Sequence, residues 1–119
     1  MQRDQILAME PGRELDTAIA LHIMGYEKSR MQSGFVRKGN CAALPKPYST
    51  DIAAAWEVAE KMHADGRYNL ALEWYTQEKE WGADFDEWGV TSQCCAKTAP
   101  LAICRAALLA VIEEVPNET

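Results

Sequence analysis

Pro47-Tyr48-Ser49-Thr50-Asp51-Ile52-Ala53-Ala54-Ala55-Trp56-Glu57-Val58-Ala59-Glu60-Lys61-Met62 is the stretch whose reading decides the fold. A proline closes an irregular basic segment. Ser49, Thr50 and Asp51 follow, each able to accept a hydrogen bond from the free N–H groups of a first helical turn, and then comes an alanine-rich run. The pattern predicts a helix. Ile52, Ala55, Trp56, Ala59, Met62 and His63 recur at spacings of three and four, while Glu57, Glu60 and Lys61 fall elsewhere. One buried face is therefore expected, with Trp56 as its anchor, and burying such a ring contributes roughly 2 to 3 kcal/mol. Gly66 is the expected left-handed stop.

Similar signals lie on either side of this helix. Asp4 to Met9 suits one helical turn, with Ile6 and Leu7 facing inward. Pro11 and Gly12 then introduce a longer helix lined by Leu15, Ala18, Ile19, His22 and Ile23 and closed by Gly25. Glu14 and Asp16 sit near its N-terminal end, where the helix dipole favours negative charge. Near the other end of the chain, Thr98-Ala99-Pro100 repeats the start chemistry. The stripe Leu101, Cys104, Leu108, Val111, Ile112 and Val115 follows, with a polar tail from Glu113 onward.

Between the second and third of these long helices the period changes to two. Tyr68, Leu70, Leu72 and Trp74 alternate with Asn69, Ala71, Glu73 and Tyr75. Trp81, Ala83 and Phe85 alternate with Gly82, Asp84 and Asp86. These are two strands of an antiparallel hairpin, and a third is expected over Val90 to Lys97 after a turn at Asp86-Glu87-Trp88-Gly89. Tyr26 to Lys46 reads as a surface loop with one short strand at Phe35-Val36-Arg37, between Gly34 and Gly39.

Three blocks, Ile6 to Gly25 (ILAMEPGRELDTAIALHIMG), Pro47 to Met62 and Thr98 to Val111 (TAPLAICRAALLAV), together resemble the phage ABA-sandwich family of small phage and prophage proteins, in that family's order. The resemblance covers about half of the chain and is weaker after Gly25 and from Gly66 to Lys97. It implies helices on both sides of a sheet and carries no defined activity. With the residue patterns it gives an α+β expectation: one domain over residues 1–119, a three-layer α/β/α sandwich with a small, mainly antiparallel sheet and three principal helices.

Composition narrows the function classes. A chain of 119 residues, 48% hydrophobic and with four tryptophans, suffices for one compact core. No apolar run reaches the roughly 18 to 20 residues of a membrane span, and the N-terminus lacks a secretory layout, so a cytoplasmic protein without membrane association is expected. The net charge of −6 disfavours nonspecific nucleic-acid binding. Charge is also unevenly placed: five basic residues against one acid from Tyr26 to Pro47, six acids against Lys79 from Glu73 to Trp88. That asymmetry suits solvated faces, an anion-binding loop or a charge-guided contact between subunits, and an exposed sheet edge would suit a homodimer. Cys41, Cys94, Cys95 and Cys104 have the spacing of neither a disulfide framework nor a zinc site, so reduced thiols and no metal or cofactor are expected.

No phosphate loop, dinucleotide fingerprint, metalloprotease helix, nucleophile elbow or Cys-x-x-Cys pair is present, which points away from an enzyme. Arg105 is the sole charge between Leu101 and Ile112. A guanidinium on so apolar a helix requires a carboxylate, a carbonyl or a bound anion. Asp16, Glu14 and Glu57 are candidate partners. In the alternative, Arg105 anchors a small anionic ligand or nucleotide signal among aromatic walls supplied by Tyr48, Trp74, Trp81 and Trp88, helped by Arg37 and Lys38 of the basic loop. The leading expectation is thus a noncatalytic phage accessory protein that binds such a ligand. Its rival is an adaptor or inhibitor that meets a host protein through the acidic strand face or a sheet edge.

Overall fold

A computed structural model describes residues 2–30, 34–64, 66–87 and 90–114. Its elements, in chain order, are α1 (Arg3–Ala8), α2 (Arg13–His22), β1 (Glu27–Lys28), β2 (Val36–Lys38), β3 (Cys41–Ala43), α3 (Ile52–His63), β4 (Asn69–Tyr75), β5 (Glu80–Glu87), β6 (Val90–Ala96) and α4 (Ala99–Glu114). The fold is the α+β sandwich of helices and antiparallel sheet that the sequence implies.

The last helix holds it together. From Leu101 to Ala110 every residue of α4 is buried except Arg105, which is half-buried. A helix apolar on all sides must be covered on all sides. The β5 and β6 strands pack against α4, and so do α1, α2 and α3. α4 runs through Glu114, so the first two residues read as a polar tail, Glu113 and Glu114, are helical. Val115 lies outside the described residues.

Strands β4, β5 and β6 form a meander with β5 in the middle. Leu70 pairs with Phe85, Leu72 with Ala83 and Ala83 with Cys94, while Trp74 pairs with Trp81 and Trp81 with Ala96. Ala83, Phe85, Cys94 and Ala96 are buried, so this face meets the core. The alternation predicted for both strands of the hairpin is what the structure shows. Trp88 and Gly89, placed in the following turn, lie outside the described residues.

Several features differ from expectation: Leu7 and His22, read as facing the core, are exposed, and two larger differences follow. The segment read as a loop holds a second antiparallel sheet, β1-β2-β3, which packs on α2. Its strands are two or three residues long and bury only Val36, too little for an alternation to register. Gly39, at φ +67°, opens the two-residue connection between Lys38 and Cys41, a geometry that favours glycine there.

The second difference is in α3. Trp56 is 49% exposed and Ile52 49% exposed; the buried face is Ala54, Ala55, Val58, Ala59 and Met62. Trp56 is therefore not the anchor. Small side chains let α3 lie close against the alanine-rich α4, and an indole between the two helices would hold them apart. The start of α3 also differs. Asp51 is its N-cap, without a side-chain cap bond, and the Ser49 hydroxyl turns instead toward α2.

Candidate functional site

The residues that the sequence nominates for an anion site do not converge. Arg105 Nε and Nη2 both donate to the Met9 carbonyl, at 3.1 and 2.5 Å. Neither Asp16, Glu14 nor Glu57 is its partner: Asp16 bonds Ser49, and Glu57 bonds Lys46 at 2.9 Å. Arg105 also lies beside Cys94, whose thiol is pushed up by burial and pulled back by this guanidinium. It works as a strut between α4 and the end of α1. Tyr48 is wholly buried and offers no ligand wall; that burial pushes its phenol up to about 12.

Trp74 and Trp81 do meet, as a cross-strand pair with ring centroids 5.4 Å apart. Arg37 pairs with Glu27, and Lys38 sits 5.4 Å over the Tyr26 ring. These two basic residues line a depression of about 250 Å³ with Gly25, Tyr26, Glu27 and Gly39. The six nominees are thus dispersed among the core, the inner face of the large sheet and the small sheet. Trp88, the remaining aromatic candidate, lies outside the described residues.

A larger cleft of about 580 Å³ runs between α1 and α2, lined by Gln5, Ala8, Met9, Glu10 and neighbouring residues as far as Glu14. Two of its backbone groups are already engaged. Met9 O accepts from Arg105, and Gly12 N donates to Ser49 Oγ at 2.9 Å.

The face of the β4–β6 meander turned away from the core is organised differently. Alternation places Asn69, Ala71, Glu73 and Tyr75 there from β4, Gly82, Asp84 and Asp86 from β5, and Gln93 and Cys95 from β6. Tyr75 lies across the sheet. Its hydroxyl donates to Glu73 Oε1 at 3.0 Å and accepts from Gln93 Nε2 at 3.2 Å, linking the two outer strands over the central one. The hydrogen bond to Glu73 raises the Tyr75 pKa. The ring passes so close to Gly82 that a Cβ there would meet Tyr75 Cε2 at 2.4 Å. Glycine at this position of β5 is a packing requirement.

Beside that strap, Asp84 and Asp86 project from the same face of β5, two residues apart. Asp84 Oδ1 and Asp86 Oδ1 are both shielded from solvent and, among the described residues, without a hydrogen-bond partner. Across the strands, Asp84 stands between Ala71 and Gln93, and Asp86 between Asn69 and Thr91. Among the described residues no group of three or more His, Cys, Asp or Glu could hold a metal ion. What this face can do is accept hydrogen bonds from a cationic group brought to it, because an anion denied both water and a donor is held at a cost.

Sequence reasoning had already put both aspartates on one strand face. It missed Tyr75, Gly82 and Gln93, although a glycine amid a strand pattern is the usual sign of a close approach.

The family model of the phage ABA sandwich domain matches residues 17–108. A crystal structure of a phage protein from Bacillus cereus ATCC 14579 superposes with a TM-score of 0.74 at 30% sequence identity, over 87% of this chain and 94% of that one. No curated protein matches the chain.

Proposed function

Because the chain belongs to the phage ABA sandwich domain family, we propose that it serves its phage noncatalytically, in the host cytoplasm, by seating a cationic protein surface on the polar face of the β4–β6 sheet. The observation that carries this is the pair of unpartnered carboxylate oxygens on Asp84 and Asp86. A lysine or arginine delivered there gives both an ionic partner in a place shielded from water, where a charge-assisted hydrogen bond is strongest. The Tyr75 strap supports the reading too, since it fixes the neighbouring Glu73 and Gln93 before any partner arrives.

The test is affinity capture from the bacterial host with the native chain and with Asp84→Asn/Asp86→Asn as baits, scored by quantitative mass spectrometry at low and high salt. A basic protein retained by the first bait and lost from the second is the expected result. Equal recovery on both would reject the acidic face.

The anionic-ligand reading keeps one location, the depression of about 250 Å³ where Arg37 and Lys38 flank Tyr26. Its basic residues already hold Glu27 and the Tyr26 ring, so a ligand would have to displace those contacts. Titration with a nucleotide panel, repeated on Arg37→Ala/Lys38→Ala, tests it: saturable heat in the first titration and none in the second is the required pattern.

A further inference from the structure

Among the described residues the β4 strand is paired on one side only, with β5, and its other edge runs beside a groove of about 390 Å³ lined by Trp56, Ala59 and His63 of α3 and by Tyr68, Asn69 and Leu70. We infer that this edge takes an extended segment of the partner protein as a fourth strand, one whose residues alternate apolar and basic; the inference rests on the acidic-face reading above and names how the partner engages it. Strand addition supplies main-chain hydrogen bonds for affinity and side-chain pockets at every second position for specificity.

Alternation sets what each side of that segment must be. Residues opposite Leu70 and Leu72 point to the inner side, toward the groove, where Trp56 stands half-exposed on a helix that does not need it for packing. An apolar side chain fits there. Residues opposite Asn69 and Ala71 point to the outer face. Behind Ala71 in the same row stands Asp84, and behind Asn69 stands Asp86. Two strand spacings of about 4.8 Å separate the added backbone from those aspartates, a span that an extended lysine or arginine meeting a carboxylate covers. Ala71 is exposed and has no side chain beyond its methyl to block the way. Asp84 thus lies where a basic residue opposite Ala71 on an added strand would reach, and Asp86 lies one row along, behind Asn69.

A second copy of the chain is a poorer occupant. Antiparallel self-pairing of β4 would bring the acidic outer face of one copy, Glu73 included, beside that of the other, and like charges on neighbouring strands repel.

The experiment uses the full chain and a synthetic peptide of alternating valine and lysine, matched in length to β4, with a valine–glutamate peptide as control. Binding is read by fluorescence anisotropy, and hydrogen exchange is followed at the amides of Asn69–Tyr75. Expected are slowed exchange in β4 on adding the lysine peptide, no binding of the glutamate peptide, and a loss of about tenfold or more in affinity in both Trp56→Ala and Ala71→Lys. Circular dichroism confirms that each variant remains folded, as befits two exposed positions. Lysine-peptide binding that is abolished by Asp84→Asn/Asp86→Asn yet untouched by Trp56→Ala, without protection of β4, would overturn the strand addition while leaving the acidic face standing. Lysine-peptide binding indifferent to Asp84→Asn/Asp86→Asn overturns the reading it rests on. A concentration-dependent dimer that protects the same amides without peptide would give the edge to a second copy and overturn the inference as well.

Discussion

Asp16 Oδ1 accepts two hydrogen bonds from Ser49, one from its backbone N–H at 2.8 Å and one from its hydroxyl at 2.6 Å, joining residues 33 apart in sequence. Both residues are buried. Ser49 Oγ in turn accepts from Gly12 N, the N-cap residue of α2, so a single hydroxyl ties the start of that helix to the segment leading into α3. Removing it leaves the carboxylate with one donor in a dry site. Ser49→Ala should cost about 2 kcal/mol, within the range for stranding a buried polar group. Urea unfolding measures this directly, and an unchanged midpoint would mean that water replaces the hydroxyl.

Alkaline pH should unfold the protein through two buried groups. Burial raises the Cys104 thiol well above its ordinary value of 9.0, and burial, followed by the neighbouring Tyr26, raises the Tyr48 phenol from 10.0 to about 12. In both cases the folded state holds a proton that the unfolded chain has released. Their stabilisation is therefore complete below pH 9 and is lost as the pH rises from the unfolded values through the folded ones. Thermal melts between pH 8 and 11 should show falling stability from about pH 9, and Tyr48→Phe should flatten the upper part of that decline.

Much of this architecture was legible in the sequence because it depends on period. Leu70, Leu72 and Phe85 alternate with polar residues, and the hairpin and the identity of its acidic face follow from that alone. What stayed hidden depends on partners distant in the chain. Ser49 reads as a cap for the helix it precedes, and only the fold brings Asp16 close enough to compete for it. Arg105 demands a partner, but nothing local names the Met9 carbonyl, 96 residues away. Trp56 falls at the border of an apolar stripe whose centre is alanine, and hydrophobicity scales weigh the indole above the methyls that actually touch α4. The small sheet escapes for a different reason: with Val36 its only buried strand residue, its pattern resembles that of a charged loop.

Thiol chemistry should divide the cysteines into two pairs. Cys41 and Cys95 are exposed, whereas Cys94 and Cys104 are buried with raised pKa values. Reaction requires the thiolate and access to it. A maleimide pulse on the native protein should label Cys41 and Cys95 alone, as read by mass spectrometry of peptides, and all four should react in denaturant. Rapid native labelling of Cys104 would contradict the packing around α4.

Two aromatic truncations should give opposite results. Phe85 is 1% exposed, packed edge-to-face with Tyr68 at 6.5 Å, and its replacement by alanine should cost about 3 to 5 kcal/mol through lost burial and the cavity left behind. Trp56→Ala should cost less than about 1 kcal/mol, since half of the ring already faces water. Chemical denaturation of the two variants side by side decides the matter, and a large loss in Trp56→Ala would restore that residue to the core.

The acidic face should be held at the expense of stability. Asp84 and Asp86 are like charges on one strand face, each with an oxygen that has lost water and, among the described residues, gained no donor. A surface kept for folding alone would not retain them, because a neutral group in the same place costs less to bury than an ion. Asp84→Asn/Asp86→Asn should therefore be more stable than the native chain by about 1 to 2 kcal/mol. Added salt should narrow the gap, since screening relieves the repulsion in the native chain and has nothing to relieve in the variant. Guanidinium chloride is itself a salt, so urea titrations at low and high sodium chloride are the suitable measurement. A variant less stable than the native protein would mean that both carboxylates already have stabilising partners, and the acidic face would lose its claim as a binding surface.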